Sequence, residues 1–99
     1  MRLSSQARHV IRDTVREIFG PEATVALFGS RLDDEARGGD IDLLVQSTAP
    51  IRERQRKVLT LVARLQMRLG DQPIDVLVLD PETNLQPIHK NALRMGQTL

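Results

Sequence analysis

Gly29, Ser30, Asp40, Asp42 and Asp75 combine residue types and spacings that can do phosphate chemistry. Leu27-Phe28-Gly29-Ser30 is followed, after nine intervening residues, by Asp40-Ile41-Asp42 and then the apolar run Leu43-Leu44-Val45. Acids at i and i+2 on a strand leave the same face with their bases about 6 to 7 Å apart, so their oxygens can converge on one cation. Such hard oxygen ligands suit Mg²⁺, which completes its octahedron with water and substrate phosphates and needs neither His nor Cys. Asp75, within Ile74-Asp75-Val76-Leu77, can supply a third carboxylate if its strand lies beside that of Asp42. Three such acids could hold two ions about 3.5 to 4 Å apart, one activating an attacking hydroxyl and one steadying departing phosphates. Gly29 has no side chain to keep a backbone N–H from a phosphate, and the Ser30 hydroxyl adds a donor. Arg31 and Arg37 in the same loop can neutralise polyphosphate charge, provided Asp33, Asp34 and Glu35 face away from it.

These residues need a sheet to position them, and the flanking sequence predicts one. From Ser4 or Ser5 to Phe19, Ala7, Val10, Ile11, Val15 and Ile18 recur at helical spacing, with Arg8, Arg12 and Arg16 on another face, and Gly20-Pro21 ends the helix. Ala23 to Phe28 reads as a strand stopped by Gly29, and Ser30 to Gly39 as a loop. Asp40 to Gln46 reads as a second strand, with Ile41, Leu43 and Val45 on one face and the acids on the other. After Ser47-Thr48-Ala49-Pro50, the pattern predicts a helix from about Ile51 to Leu69, packed through Val58, Leu61, Val62, Leu65 and Leu69 and ended by Gly70. Pro73 to Asp80 reads as a third strand in which Asp75 looks buried among apolar neighbours. A last helix is expected between Asn84 and Met95, stopped by Gly96.

Composition narrows the classes of function. The 99 residues allow one domain, expected to run from 1 to 99, and size scaling has folding bury roughly 65% of the extended surface. With no cysteine, neither a disulfide nor a thiolate zinc site can contribute. The net charge of +1 and aromatic content of 2% argue against a nucleic-acid-binding module, because neither a basic surface nor a stacking platform is present. Met1 to Val10 lacks the apolar run of a secretory signal, and apolar stretches of four or five residues are too short to span a bilayer. The expectation is a cytoplasmic protein without membrane partners. His9 and His89 read as surface or capping residues rather than ligands, and the arginine runs as solvated helix faces, with a phosphate ligand or acidic partner as the alternative.

The runs Gly29-Ser30-Arg31 and Ala36-Arg37-Gly38-Gly39-Asp40-Ile41-Asp42-Leu43, with Asp75 as a third acid, closely resemble the minimal nucleotidyltransferase domains of the DNA polymerase β-like nucleotidyltransferase superfamily. Gly39 stands where serine commonly precedes the first acid, and Leu32-Asp33-Asp34-Glu35 is more acidic than usual. The resemblance implies an α/β (α+β) fold, a mixed-sheet nucleotidyltransferase palm with helices mainly on one face. It also implies Mg²⁺-dependent transfer of a nucleoside monophosphate, AMP from ATP, with release of pyrophosphate. On that pattern Asp40, Asp42 and Asp75 are the catalytic and metal-binding acids, and Gly29, Ser30, Arg31 and Arg37 face the nucleotide phosphates. Minimal members often accompany a helical HEPN ribonuclease toxin and act as its antitoxin, in some cases by adenylating it. A binding antitoxin on the same fold, neutralising its partner through contact alone, is the alternative.

Overall fold

The computed structural model describes residues 3–29 and 41–99. Helix α1 (Ser5–Phe19) is followed by strands β1 (Ala23–Phe28) and β2 (Ile41–Ser47), helix α2 (Arg54–Leu69), strand β3 (Ile74–Leu79), helix α3 (Pro87–Met95) and the short strand β4 (Gln97–Thr98). The strands form one sheet in the order β3-β2-β1-β4. β1 runs antiparallel to β2 and to β4, whereas β2 and β3 are parallel and joined through α2, so the sheet is mixed as expected.

Alternation along the strands produces two unlike faces. Val25 and Leu27, Ile41, Leu43 and Val45, and Ile74 and Val78 join Ile11, Val15 and Phe19 of α1 and Leu61 and Leu65 of α2 in one buried cluster. By the two-residue period of a strand, Asp42 and Asp75 belong to the other face. Across the α1–α2 contact, Arg68 donates to the buried Thr14 hydroxyl (2.6 Å), and Arg64 and Arg68 both reach Glu17. Fully burying each large aliphatic side chain of the cluster contributes roughly 1.5–3 kcal/mol before entropy is set against it.

Helix ends follow local chemistry. The Ser4 side chain accepts from the Ala7 N–H (3.1 Å) and caps α1, while the N–H groups of Gly20 and Gly70 close α1 and α2 on Arg16 and Gln66 carbonyls. In α3, Pro87 occupies the first turn, and His89 Nδ1 accepts from the Gln86 N–H (3.1 Å) in a capping box, the capping role expected for that histidine.

Three expectations are corrected. Helix α2 begins at Arg54 rather than Ile51, because Glu53 takes a left-handed backbone (φ 52°) that no helix can continue through, while the Ile51 N–H donates to Asp80 Oδ2 (2.8 Å). Helix α3 begins at Pro87 rather than Asn84, since the residue before a proline disfavours helical torsions and Gln86 is extended. Strand β4 was not expected, being two exposed polar residues that pair only with distant Ala26 and Leu27. Among the described residues, no helix is long and apolar enough to cross a membrane.

Candidate active site

The carboxylates meet at one end of the sheet. Asp42, second residue of β2, is opposite Phe28 in β1 and opposite Asp75 in β3. Antiparallel β1 therefore ends where parallel β2 and β3 begin, and Gly29 follows directly from β1. The Ile41 N–H donates to the Pro73 carbonyl (2.9 Å), extending the β2–β3 ladder and fixing the register that brings the two acids side by side.

Neighbouring strands lie about 4.8 Å apart, so paired carboxylates on one face can share a cation, whose Mg–O distances are about 2.0–2.1 Å. Asp42 is half-buried and Asp75 is exposed. Exposure of Asp75 overturns the expectation of a buried acid. Its apolar neighbours Ile74 and Val76 point into the helix-covered core, whereas Asp75 leaves the opposite face of an edge strand. Asp75 has no hydrogen-bond or ion-pair partner among the described residues, so its oxygens are available to a ligand.

Gly29 is fitted to Asp42 rather than only to an incoming phosphate. Its φ of +79° lies in the left-handed region, and a Cβ built there would overlap Asp42 Oδ2 and crowd its Cγ and Cβ. Any larger residue would displace the carboxylate. The space for this side chain, together with an all-oxygen pair of acids, fits a hard divalent cation. Among the described residues, no group of three or more His, Asp or Glu side chains forms a metal cluster. Asp40, the expected third ligand, lies outside the described residues, as do Ser30, Arg31 and Arg37. Of the expected site, the structure thus brings Gly29, Asp42 and Asp75 together.

A fourth acid shows what a structural carboxylate looks like in this chain. Asp80, just beyond β3, is buried and accepts from the Ile51 N–H (2.8 Å), an Arg54 Nη (2.7 Å), the Thr83 hydroxyl (2.9 Å) and the Glu82 N–H (3.0 Å). The Ile51 N–H is the largest influence holding its pKa down to about 2; Thr83, Arg54 and Glu82 act the same way against the opposing effect of burial. Asp80 orients the entry to α2 and hence the β2–α2–β3 crossover that sets the Asp42–Asp75 register. Sequence reasoning passed over it, although Asp80-Pro81-Glu82-Thr83 carries the Asx-turn pattern in which Asp accepts from the N–H two residues on.

Comparison with known proteins agrees with this geometry. No curated protein sequence matches the chain. Chains in solved toxin–antitoxin structures share its fold. One, in the rebuilt and re-refined structure of tri-AMPylated Shewanella oneidensis HEPN toxin in complex with MNT antitoxin, is 19% identical with a TM-score of 0.63, covering 94% of this chain and 68% of that one. A second, in a mutant of the toxin–antitoxin MntA-HpeT, is 18% identical at a TM-score of 0.66, covering 92% and 70%. A third, in a toxin–antitoxin with AMP-PNP, is 18% identical at 0.65, covering 96% and 72%. At these identities the likeness is one of fold. The sequence pattern of the nucleotidyltransferase domain matches residues 9–94, and with the paired strand acids and the glycine at the end of β1 already in place, the chain belongs to the nucleotidyltransferase domain family.

Proposed function

We propose that this chain, a single nucleotidyltransferase domain, transfers AMP from ATP to a hydroxyl of a HEPN-type toxin and thereby acts as its antitoxin. The observation that carries the reading is the register of Asp42 and Asp75 beside Gly29, on the face of the sheet away from α1 and α2. The related structures support the choice of donor and acceptor, since one holds a tri-AMPylated HEPN toxin beside an MNT antitoxin and another a toxin–antitoxin with AMP-PNP.

Asp40, Asp42 and Asp75 would hold Mg²⁺, two ions on the pattern of the family. When bound, Mg²⁺ supplies Lewis-acid stabilisation of the phosphates and lowers the pKa of the attacking hydroxyl. Gly29 and Ser30 bind the β- and γ-phosphates, with Arg31 and Arg37 offsetting their charge. Asp75, exposed on an edge strand, is open to a protein-borne hydroxyl; it aligns that hydroxyl and accepts its proton. The acceptor oxygen bonds to the α-phosphorus as the bond to the bridging oxygen breaks, and pyrophosphate departs.

The test is incubation of the chain and a HEPN toxin with Mg²⁺ and α-labelled ATP. Label on the toxin, lost in Asp42→Asn while the complex persists, is the expected result. Neutralisation unchanged in Asp42→Asn, with no label transferred by the native chain, would replace this reading with a binding antitoxin.

A further inference from the structure

Two groups of arginines lie on the helices and are used differently. On α2, Arg54 is paired with Asp80, Arg56 with Glu53, and Arg64 and Arg68 with Glu17. On α1, Arg8 and Arg12 have no carboxylate partner among the described residues. They sit one helical turn apart, a spacing at which like charges repel unless an anion lies between them.

Ser5, Arg8, His9, Arg12 and Leu99 line a cavity of about 170 Å³. No acid lines it. Arg12 donates through Nη2 to His9 Nδ1 (2.8 Å), yet its Nε–H is buried without an acceptor among the described residues. A buried donor left unpaired is costly, and in a native fold it points to a bound group that completes it. The cavity is distinct from the carboxylate site. The Leu99 N–H donates to the Val25 carbonyl (2.9 Å), which places the cavity at the β4 edge on the α1 side, whereas Asp42 and Asp75 leave the opposite face near β3.

We infer that this cavity is a binding site for a single phosphate group, held by the Arg8 and Arg12 guanidinium groups with Ser5 beside them. Two guanidinium groups suit an anion, and the guanidinium fork matches phosphate oxygens in pairs. The size is right as well. A volume near 170 Å³ corresponds to roughly five or six waters at about 30 Å³ each, and is below the roughly 300 Å³ at which pockets begin to enclose a whole nucleotide-sized ligand. The inference stands independently of nucleotidyl transfer.

The test is a titration of the full chain, ¹⁵N-labelled, with inorganic phosphate, in EDTA to silence the carboxylate site and with ionic strength held constant by sodium chloride. Saturable shifts are expected at the Arg8 and Arg12 Nε–H groups and the Ala7 to Asp13 amides. Affinity is expected to fall at least about tenfold in Arg12→Met and in Arg8→Gln, the loss of one charge-assisted contact, and to be unchanged in the control Arg52→Gln. If Arg12→Met loses the folded amide spectrum, Arg8→Gln decides. AMP runs as a parallel arm: tighter binding of AMP identifies a phosphate monoester as the source, and tighter binding of phosphate the free ion. Shifts that never saturate, or that persist equally in Arg12→Met and Arg8→Gln, overturn the inference.

Discussion

Asp75 and Asp80 stand five positions apart on and just beyond one strand, and the chain treats them in opposite ways. Asp80 is buried, has an acceptor role to four groups, and is held ionised down to about pH 2. Asp75 is exposed, set in register beside a second carboxylate, and given no partner among the described residues. An acid whose hydrogen bonds are complete stabilises the fold and has nothing left for a ligand. An exposed acid without a partner among the described residues, set beside a second carboxylate, adds little to stability and keeps its oxygens for whatever binds. Like charges opposite one another on paired strands are unfavourable, and on the function proposed here the Asp42–Asp75 end of the sheet serves chemistry while the Asp80 end serves structure.

The largest effect expected from this contrast is on chemistry. Asp42→Asn or Asp75→Asn should lower label transfer to the toxin by about 10²–10⁴-fold, the range for loss of a positioned acid–base or charge-stabilising group. Stability should change by no more than about 0.5 kcal/mol for Asp75→Asn, and toward greater stability, since an exposed like-charge contact is relieved. A large destabilisation of Asp75→Asn in chemical unfolding would remove the distinction between the two acids.

The converse is expected for Asp80→Ala. Removing a buried acceptor leaves the Ile51 and Glu82 N–H groups and the Thr83 hydroxyl without their partner, at a cost of about 2–3 kcal/mol, or a fall in Tm of about 8–20 °C for a domain of this size. Transfer measured well below the lowered Tm should be reduced far less than in Asp42→Asn. Gly29→Ala falls between the two. It imposes a left-handed backbone on alanine, a cost of about 1–2 kcal/mol, and its Cβ displaces the Asp42 carboxylate, so both Tm and transfer should drop.

Where the sequence was readable, the cause was local. Gly20-Pro21 and Gly29 bracket β1, and its bounds Ala23–Phe28 match expectation, as does the end of α2 at Leu69 before Gly70. The i, i+2 alternation of Ile41, Leu43 and Val45 put Asp42 on the face opposite theirs without any knowledge of its neighbours. What was missed depends on contacts between residues far apart in the chain. The segment leading into α2 is tied down by Asp80, 29 positions from Ile51. Strand β4 exists only through its ladder to β1. Burial of Asp75 was misjudged because apolar neighbours on a strand report the opposite face, and only the edge position of β3 shows which face is covered. The pairing of Asp42 with Asp75 was conditional on strand order, which no local pattern in a βαβ unit fixes.

The last predicted effect is the acid response of the Asp80 end. Its carboxyl is about 2 in the folded chain against the ordinary 3.8, so the folded state binds its proton less readily than the unfolded state does. The contribution to stability is therefore complete above about pH 4 and is lost as pH falls from there toward 2. In Asp80→Asn no such titration exists, and unfolding curves measured between about pH 5 and 2 should lose that component of their slope, so that native and variant stabilities converge at the acid end. Asp75→Asn should leave the component in place, because the Asp80 hydrogen bonds are made to groups at the other end of β3. If both variants flatten the acid limb equally, the two ends of the strand are not energetically separate, and the assignment of one acid to structure and the other to chemistry fails.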